Sequence, residues 1–316
     1  MVTLQRCSLA PLVDVHATPH PVNWDQFFPS RQDSARGAPQ NHKGSLDVEI
    51  GFGLGETLIR MARESPDRNF VGIEQNWERI CKTLNRLNDL NNIRVLKVDA
   101  RLAFERLFAE QTIDRVYSLF PCPWPKKKHV KHRLFSRQFF CLLNNRLKSG
   151  GEIKIVTDHG VFFQWMLDEV KETGFVIETK TIGSRYDTKF ERKWVKAGKK
   201  NFFELSGVKK NHRDVSIFKD IPMKSYLVDH FDPAHFRFDP AVEETCSVIF
   251  KEMIFDPLKH KAMLHFVIQE EHLTQHFWVM IVKQDNRWRI CKADGQTFFQ
   301  TSGTSRALEL VYQTLK

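Results

Sequence analysis

The stretch LDVEIGFGLGE at residues 46–56 joins a short apolar run to a glycine-rich turn and the start of an amphipathic segment. Its pattern predicts a strand over Asp47–Ile50, a turn beginning at Gly51 and a helix over Glu56–Glu64. Glycines let the chain turn sharply and approach a ligand closely. Because no lysine follows the GxGxG spacing, this turn is not a phosphate-gripping loop.

The segments that follow alternate between short apolar runs and amphipathic runs. Strands are predicted over Asn69–Ile73, Ile93–Val98, Arg115–Phe120 and Glu152–Val156, and helices over Trp77–Leu90, Leu102–Phe108, Phe135–Leu147 and Val161–Thr173. A turn at Ser149–Gly151 is expected before the last strand. Strands with helical crossovers at this spacing predict an α/β fold with a mostly parallel, doubly wound sheet.

Composition divides the chain into three parts. Residues 1–44 are rich in Pro, Asn, Gln, His and Ser and are expected to form an irregular arm, and residues 45–213 form the α/β domain. Residues 214–316 are expected to form a smaller α+β domain of unknown role. Its elements are four strands followed by a helix, over Cys246–Phe255, Ala262–Ile268, Phe277–Val282, Trp288–Cys291 and Ser305–Leu315.

Three acids are predicted at the ends of successive strands. Glu49 lies in the first strand, Glu74 follows the second, and Asp99 follows the third. Carboxylates can accept ribose hydroxyls and an adenine amino group, so the set suits a nucleoside-like ligand without a phosphate, such as S-adenosylmethionine. The alternative is that Glu74 and Asp99 are ordinary helix-capping residues.

The loop after the fourth strand reads FPCPWPKKKHVKHR at residues 120–133. Three prolines stiffen it at the carboxyl end of the sheet, where ligands bind in such folds. Five Lys or Arg and two His then fall within eight residues, which fits phosphate contacts to RNA. The alternative is a solvated run of charges.

Two further clusters carry polar groups. Asp158 follows the fifth strand at the same expected edge, where it is predicted to contact a ligand. The alternative is that it caps the next helix, and the two roles can hold together. Thr188, Lys189, Phe190 and Glu191 precede another basic run.

Charge and cysteine content narrow the function classes. The chain has 316 residues and a net charge of +10, and its basic excess lies before residue 214. This distribution suggests a polyanionic partner, with a merely basic surface as the alternative. Six scattered cysteines without a CxxC pair argue against a disulfide framework or a metal site and favour the cytoplasm. No apolar run is long enough to predict a membrane span.

Five motifs occur in this order along the chain: EIGFGLG, GIE, FPCPWPKKKHVKHR, TDHG and DTKFERK. Together they resemble the TrmB-type tRNA (guanine-N7-)-methyltransferase family over about Leu46–Lys210. The resemblance implies a Rossmann-like fold that uses S-adenosylmethionine to methylate a guanine in the tRNA variable loop. It implies that the cofactor site contains Glu49, Gly51, Gly53, Glu74, Asp99 and Cys122. It also implies that the tRNA or its target guanine contacts Lys126, Asp158, Thr188, Lys189, Phe190 and Glu191.

Cys122 departs from the family pattern. The family loop usually reads PDPWP, and the aspartate replaced here is its presumed catalytic residue. A thiolate would restore the negative charge, so we hypothesise that Cys122 is a partial substitute. Two alternatives remain: a tRNA- and S-adenosylmethionine-binding protein without activity, and a small-molecule methyltransferase. The sequence leaves a monomer and a homodimer equally open, and residues after about Arg213 match no part of the family pattern.

Overall fold

The computed structural model describes residues 8–28, 44–87, 89–216, 218–242, 246–270 and 272–316. The chain divides into two compact units, unit 1 from Met1 to Phe218 and unit 2 from Lys219 to Lys316. No helix of the described residues is both long enough and apolar enough to cross a membrane.

Unit 1 is built on a seven-stranded sheet. The strands are β1 (Ser45–Ile50), β2 (Arg68–Glu74), β3 (Ile93–Lys97), β4 (Ile113–Leu119), β5 (Leu147–Thr157), β6 (Phe175–Ile182) and β7 (Phe202–Lys209). Their order is β3-β2-β1-β4-β5-β7-β6, and β7 is antiparallel to both of its neighbours. The predicted doubly wound, mostly parallel sheet is therefore confirmed.

Helices connect these strands. They are α1 (Glu56–Glu64), α2 (Trp77–Leu84), α3 (Ala100–Arg106), α4 (Arg137–Arg146), α5 (Gly160–Glu169) and α6 (Lys189–Lys196). The predicted bounds of α1 match the structure, and Leu58, Ile59 and Ala62 form its buried side. The central strands are buried on both faces, as β1 illustrates from Leu46 to Ile50, because helices cover a parallel sheet.

The order of the strands reverses between β1 and β4. From β1 the chain proceeds outward to β2 and β3, whereas β4 and β5 lie on the other side of β1. Ligands in open α/β sheets bind in the crevice at such a switch point, outside the carboxyl ends of the strands. The glycine turn (residues 51–55) follows β1 and the proline loop (residues 120–125) follows β4, so these two segments border that crevice.

The described part of the N-terminal region is irregular but packed. Leu12 forms an isolated bridge with Val95 of β3. Val22 donates a backbone hydrogen bond to Leu107, and Trp24 stacks on Phe108 with ring centroids 5.1 Å apart. These contacts bury apolar side chains along β3 and α3.

Several predicted bounds differ from the structure: the helix predicted over Val161–Thr173 ends at Glu169, and the strand predicted over Phe277–Val282 begins at Leu273. Two further differences have a clear local cause. The second helix ends at Leu84 instead of Leu90, where Asn85 occupies the C-cap in an asparagine-rich stretch that favours turns over helix. Ser149–Gly151 lies inside β5 instead of before it, as a bulge between the pairs Ile113–Leu147 and Arg115–Glu152. The salt bridge of Lys148 to Asp114, with 2.7 Å between Nζ and Oδ2, joins the two strands at this bulge.

β6, α6 and β7 are not predicted by the sequence pattern. In β6 an edge position leaves most side chains exposed, so the strand carries Lys, Glu and Thr with little apolar alternation. α6 is short, with Glu191 as its buried residue.

Unit 2 contains an antiparallel sheet of six strands, with α7 (Ser302–Leu315) packed against it. The strands are β8 (Tyr226–Val228), β9 (Ala241–Val242), β10 (Cys246–Asp256), β11 (Lys261–Glu270), β12 (Leu273–Gln284) and β13 (Arg287–Lys292). Alternate residues of β11, including Leu264 and Phe266, are fully buried with Leu308 in the core of the unit. The smaller α+β unit predicted at the C-terminus is thus confirmed.

Candidate active site

Positive φ angles shape the glycine turn. Gly51, Gly53 and Gly55 have φ angles of 71°, 58° and 71°, a region that residues with a Cβ rarely adopt. A Cβ at Gly55 would lie 2.5 Å from Cγ2 of Thr83 in α2, whereas one at Gly51 or Gly53 would meet open space. Gly55 thus allows α1 and α2 to approach, and the other two leave room beside the turn.

Glu74 ends β2 beneath this turn. Its side chain is nearly buried, and Oε2 accepts a hydrogen bond from the Gly53 amide at 3.1 Å. Oε1 accepts bonds from the amides of Gln75 and Asn76 at 3.0 Å each. Asn76 caps α2, so the helix-capping alternative for Glu74 is wrong. Glu74 instead fixes the turn, and Arg79 lies 3.4 Å from Oε2.

Glu49 is buried in β1, and its hydrogen bonding differs from that of Glu74. It is 3% exposed, and its Oε2 atom has no hydrogen-bond partner among the described residues. Burial raises its pKa to about 8, although the charge of Arg60 and the Leu58 backbone N–H oppose the increase. A buried carboxylate with an unsatisfied oxygen is suited to a cationic hydrogen-bond donor.

Asp99 follows β3 and is exposed. Its Oδ1 accepts hydrogen bonds from the backbone N–H groups of Arg101 and Leu102. Asp99 therefore caps α3, and the helix-capping alternative is confirmed for this residue. Its Oδ2 accepts a bond from the Gln75 side chain, which follows Glu74 directly. Capping leaves the side chain at the ligand edge, so the two roles are compatible.

The proline loop has two bulky residues in the left-handed region, Phe120 with φ 56° and Trp124 with φ 43°. The ring of Phe120 packs edge-on against Phe202 with centroids 5.3 Å apart. The ring of Trp124 packs against His129 at 5.6 Å and His132 at 5.2 Å. Cys122 lies between these anchored residues and is exposed.

A short 3-10 helix, Lys127–His132, follows the proline loop. Four lysines on or beside it, Lys126, Lys127, Lys128 and Lys131, are exposed, and none forms an ion pair with a described residue. Arg133 differs, because it is 5% exposed and is not available to a phosphate. The predicted phosphate contacts of this segment therefore rest on the four lysines.

Asp158 follows β5 and is mostly buried, with 17% of its side chain exposed. His159, and not Asp158, caps α5 by accepting a hydrogen bond from Phe162. The alternative role of Asp158 as an N-cap is therefore wrong. Lys199 lies 3.6 Å from Oδ2 of Asp158 and also donates to its backbone carbonyl, so this carboxylate is paired with one cation.

The segment Thr188–Glu191 begins α6. Thr188 caps the helix by accepting a hydrogen bond from the amide of Glu191 at 3.1 Å. Glu191 is fully buried, with Oε1 accepting from the Arg185 amide at 2.7 Å and Oε2 without a partner among the described residues. Phe190 is 43% exposed.

Glu56 connects this segment to the glycine turn. It is the first residue of α1, and its Oε2 accepts a hydrogen bond from the Lys189 amide at 2.9 Å. Its Oε1 pairs with Arg192 of α6. The structure thus brings the start of α6 beside the glycine turn, although 133 residues separate the two along the chain. No local pattern in the sequence could have identified Glu56 as this link.

One group of side chains within the described residues has metal-ligand spacing: Glu110, His212 and Asp214. Nδ1 of His212 lies 2.9 Å from Nζ of Lys209, and its Nε2 lies 2.8 Å from Oε1 of Glu110 and 3.4 Å from Nδ2 of Asn145. The polar side chains of Lys209 and Asn145 also contact the ring, so the group is a hydrogen-bonded cluster. It lies near the start of β5, at the edge of the sheet opposite the proline loop.

Comparisons with known proteins agree with this geometry. A family profile described as putative methyltransferase matches residues 43–204. A tRNA (guanine-N7-)-methyltransferase of Chlorobium phaeobacteroides is 47% identical over 171 residues, covering 54% of this chain and 84% of that protein. A protein of the same name from Thermus thermophilus is 36% identical over 257 residues, covering 76% of this chain and 79% of the relative.

A third relative of that name, from Aquifex aeolicus, is 29% identical over 280 residues, covering 86% of this chain and 94% of the relative. Because unit 1 ends at Phe218, an alignment over 86% of the chain must reach into unit 2. Similarity therefore extends beyond the residues that the family profile matches.

Proposed function

The chain belongs to the tRNA (guanine-N7-)-methyltransferase family, and from that premise we propose that it transfers a methyl group from S-adenosylmethionine to N7 of a variable-loop guanine in tRNA. One observation carries the proposal. The crevice between β1 and β4 is bordered by carboxylates on one side and by a lysine-rich loop on the other. The first side suits a cationic nucleoside and the second suits a polyanion.

The residues on the β1–β3 side fit S-adenosylmethionine. The unsatisfied oxygen of Glu49 would accept a hydrogen bond from its ammonium group. Glu74 would hold the ribose hydroxyls, with Arg79 at 3.4 Å as the weakest of its present donors. Asp99 would face the adenine amino group. When bound, the cofactor supplies an electrophilic methyl group on a sulfonium sulfur.

Methylation at guanine N7 requires little chemical assistance from the protein. The in-plane lone pair of N7 is free, so no proton has to be removed before it attacks the methyl carbon. As the N7–carbon bond forms and the carbon–sulfur bond breaks, the base gains a positive charge and the sulfur becomes a neutral thioether. The protein therefore needs to align the base and to stabilise a cation.

Asp158 would supply a carboxylate for this task, with Lys199 as a counter-ion on one of its oxygens. It follows β5, next to the strand that carries the proline loop, and burial strengthens its field. Cys122 contributes less than an aspartate would, because a neutral thiol is a weak acceptor. Thr188 caps α6, and Glu56 holds the start of this helix beside the glycine turn, where Lys189 and Phe190 would contact the tRNA.

The exposed lysines favour RNA over a small-molecule substrate. Lys126, Lys127, Lys128 and Lys131 have no carboxylate partner among the described residues, which leaves them available to phosphates. The alternative of an inactive binding protein gains no support, since the relatives reported are named as enzymes. We place the enzyme in the cytoplasm and retain residues 45–213 as its catalytic domain.

Substitution at Cys122 tests the mechanism. Cys122→Asp restores a carboxylate on an exposed, anchored loop, so we expect a rise in kcat for tRNA methylation of about tenfold or less. Cys122→Ser serves as the control, since it replaces the thiol with a neutral hydroxyl and adds no charge, and we expect no rise in rate. If Cys122→Asp leaves the rate flat or lowers it, Cys122 is not a partial substitute.

A further inference from the structure

Arg133 is a buried cation at the end of the 3-10 helix Lys127–His132. Burial lowers its pKa, although a guanidinium remains charged in proteins. No carboxylate of the described residues lies within ion-pair distance of it. A buried charge without a counter-ion is costly, so the contacts that Arg133 does make must compensate for that cost.

Those contacts join two parts of the candidate active site. Nε of Arg133 donates to the carbonyl of Pro123 at 3.0 Å, and Nη2 lies 3.5 Å from the carbonyl of Trp124. The guanidinium also lies over two rings of α5, 5.5 Å from Phe162 and 5.0 Å from Trp165. One side chain thus fixes the backbone on either side of the Pro123–Trp124 peptide and rests on the next helix.

The proline loop needs such support. Left-handed backbone is strained for a residue with a side chain, and Phe120 and Trp124 both adopt it. Prolines at 121, 123 and 125 donate no backbone hydrogen bonds. The loop therefore cannot be stabilised by a regular series of backbone hydrogen bonds. Hydrogen bonds to its carbonyls must come from elsewhere, and Arg133 provides them.

We propose that Arg133 is a positioning residue that fixes the location of Cys122 relative to Asp158. The proposal rests on the proposed function, since its consequence is for methyl transfer. α5 begins two residues after Asp158, so a cation clamped between the proline loop and α5 sets the spacing of the two groups. Arg133 touches neither substrate nor cofactor.

Arg94 offers a matched control. Its guanidinium also donates to two backbone carbonyls, those of Asn91 at 3.0 Å and Ile93 at 2.6 Å. It also lies over a ring, that of Phe28, at 5.1 Å. Arg94 is near the start of β3, at the opposite edge of the sheet from the site.

The test compares Arg133→Met, Arg133→Lys and Arg94→Met in the full chain. We expect Arg133→Met to lower kcat at least tenfold, because a misplacement of about 1 Å can cost on the order of 100-fold. Its Kd values for S-adenosylmethionine and for tRNA should stay within about twofold of wild type. Arg133→Lys should recover part of kcat, because it keeps a cation that reaches one carbonyl. Arg94→Met should lower Tm comparably while leaving kcat unchanged.

Amide hydrogen exchange provides a readout that does not depend on catalysis. The amides of Phe120 and His129, which donate to the carbonyls of Val156 and Lys126, should exchange at least tenfold faster in Arg133→Met than in wild type, and at the wild-type rate in Arg94→Met. Unchanged exchange at these amides in both Arg133 variants, or equal losses of kcat in Arg133→Met and Arg94→Met, would overturn the proposal. If the wild type transfers no methyl group, the proposed function fails and exchange alone decides whether Arg133 positions the loop.

Discussion

The glycine turn and the proline loop border the same crevice, and both need left-handed backbone. The glycine turn meets this need locally, because each of its positive φ angles falls on a residue without a Cβ. The proline loop places Phe120 and Trp124 there and depends on packing and hydrogen bonds from distant residues. A loop held by its own backbone tolerates changes around it, whereas a loop held by side chains is sensitive to its anchors.

The two segments also differ in charge. Glu49, Glu74 and Asp99 lie on the side of the glycine turn, and four exposed lysines follow the proline loop. This separation keeps the carboxylates away from the RNA backbone and the lysines away from a cationic cofactor. Substitutions on one side should therefore change one ligand's affinity and leave the other's unchanged.

The largest effect is expected at Gly55. Gly55→Ala combines left-handed strain with a 2.5 Å approach to Thr83, so it should lower the free energy of unfolding by about 2–5 kcal/mol and abolish cofactor binding. Gly53→Ala is the matched control, since it adds left-handed strain in open space and should cost about 1–2 kcal/mol. Denaturant titration of both variants measures the difference. Equal losses would show that the approach to α2 is unimportant.

The next effect is expected at Glu74. Glu74→Ala removes the acceptor for the Gly53 amide and the proposed ribose contact, so Kd for S-adenosylmethionine should rise on the order of 10–100-fold. tRNA affinity should stay within about twofold. Glu74→Gln keeps one acceptor oxygen and should be intermediate. Isothermal titration of each ligand checks this, and a parallel loss of tRNA affinity would contradict the separation of the two sides.

Glu49 should make stability and cofactor affinity depend on pH in opposite senses. Its folded-state pKa of about 8 lies above the ordinary 4.5, so the folded state binds the proton more tightly. The contribution of Glu49 to the free energy of unfolding is fully present below pH 4.5 and is lost as the pH rises through 8. Affinity for S-adenosylmethionine should instead rise with pH, by up to about tenfold per unit, because the ammonium requires the ionised carboxylate.

Glu49→Gln should flatten both profiles between about pH 5.5 and 7, a range in which the ammonium of the ligand remains protonated. Urea unfolding measures the first profile and calorimetric titration the second. A wild-type affinity that does not change over this range would show that Glu49 does not meet the ammonium group.

The smallest effect is expected at Lys126. Lys126→Ala removes one exposed cation, so tRNA affinity should fall a few-fold, and the slope of log affinity against log salt should shrink by about 1. Cofactor affinity should not change. Lys180→Ala is the control, because Lys180 is already paired with Glu178 in β6. An identical salt slope for wild type and Lys126→Ala would remove Lys126 from the tRNA contact.

The two border segments also show what sequence can predict. The glycine turn was predicted with the bounds of α1, because its strand, glycines and helix are adjacent in the chain and each has a local signal. The motif of the proline loop predicts a site, but the sequence does not separate Arg133 from the exposed lysines. Its burial depends on Phe162 and Trp165, which no pattern within the loop reveals.

The same limit applies to α6. TKFE was recognised through resemblance, yet its place beside the glycine turn depends on the contacts of Glu56 with Lys189 and Arg192. Long-range pairs of this kind have no periodicity, so they follow from the fold and not from the local sequence.

Methyl transfer from labelled S-adenosylmethionine to tRNA lacking 7-methylguanine tests the central claim most directly, with mass spectrometry to locate the modified base. Wild type and Cys122→Asp would be compared under the same salt conditions. We expect both to form 7-methylguanine at a variable-loop guanine, with Cys122→Asp faster. If both proteins bind tRNA and S-adenosylmethionine but transfer no label to N7, the proposed function is wrong.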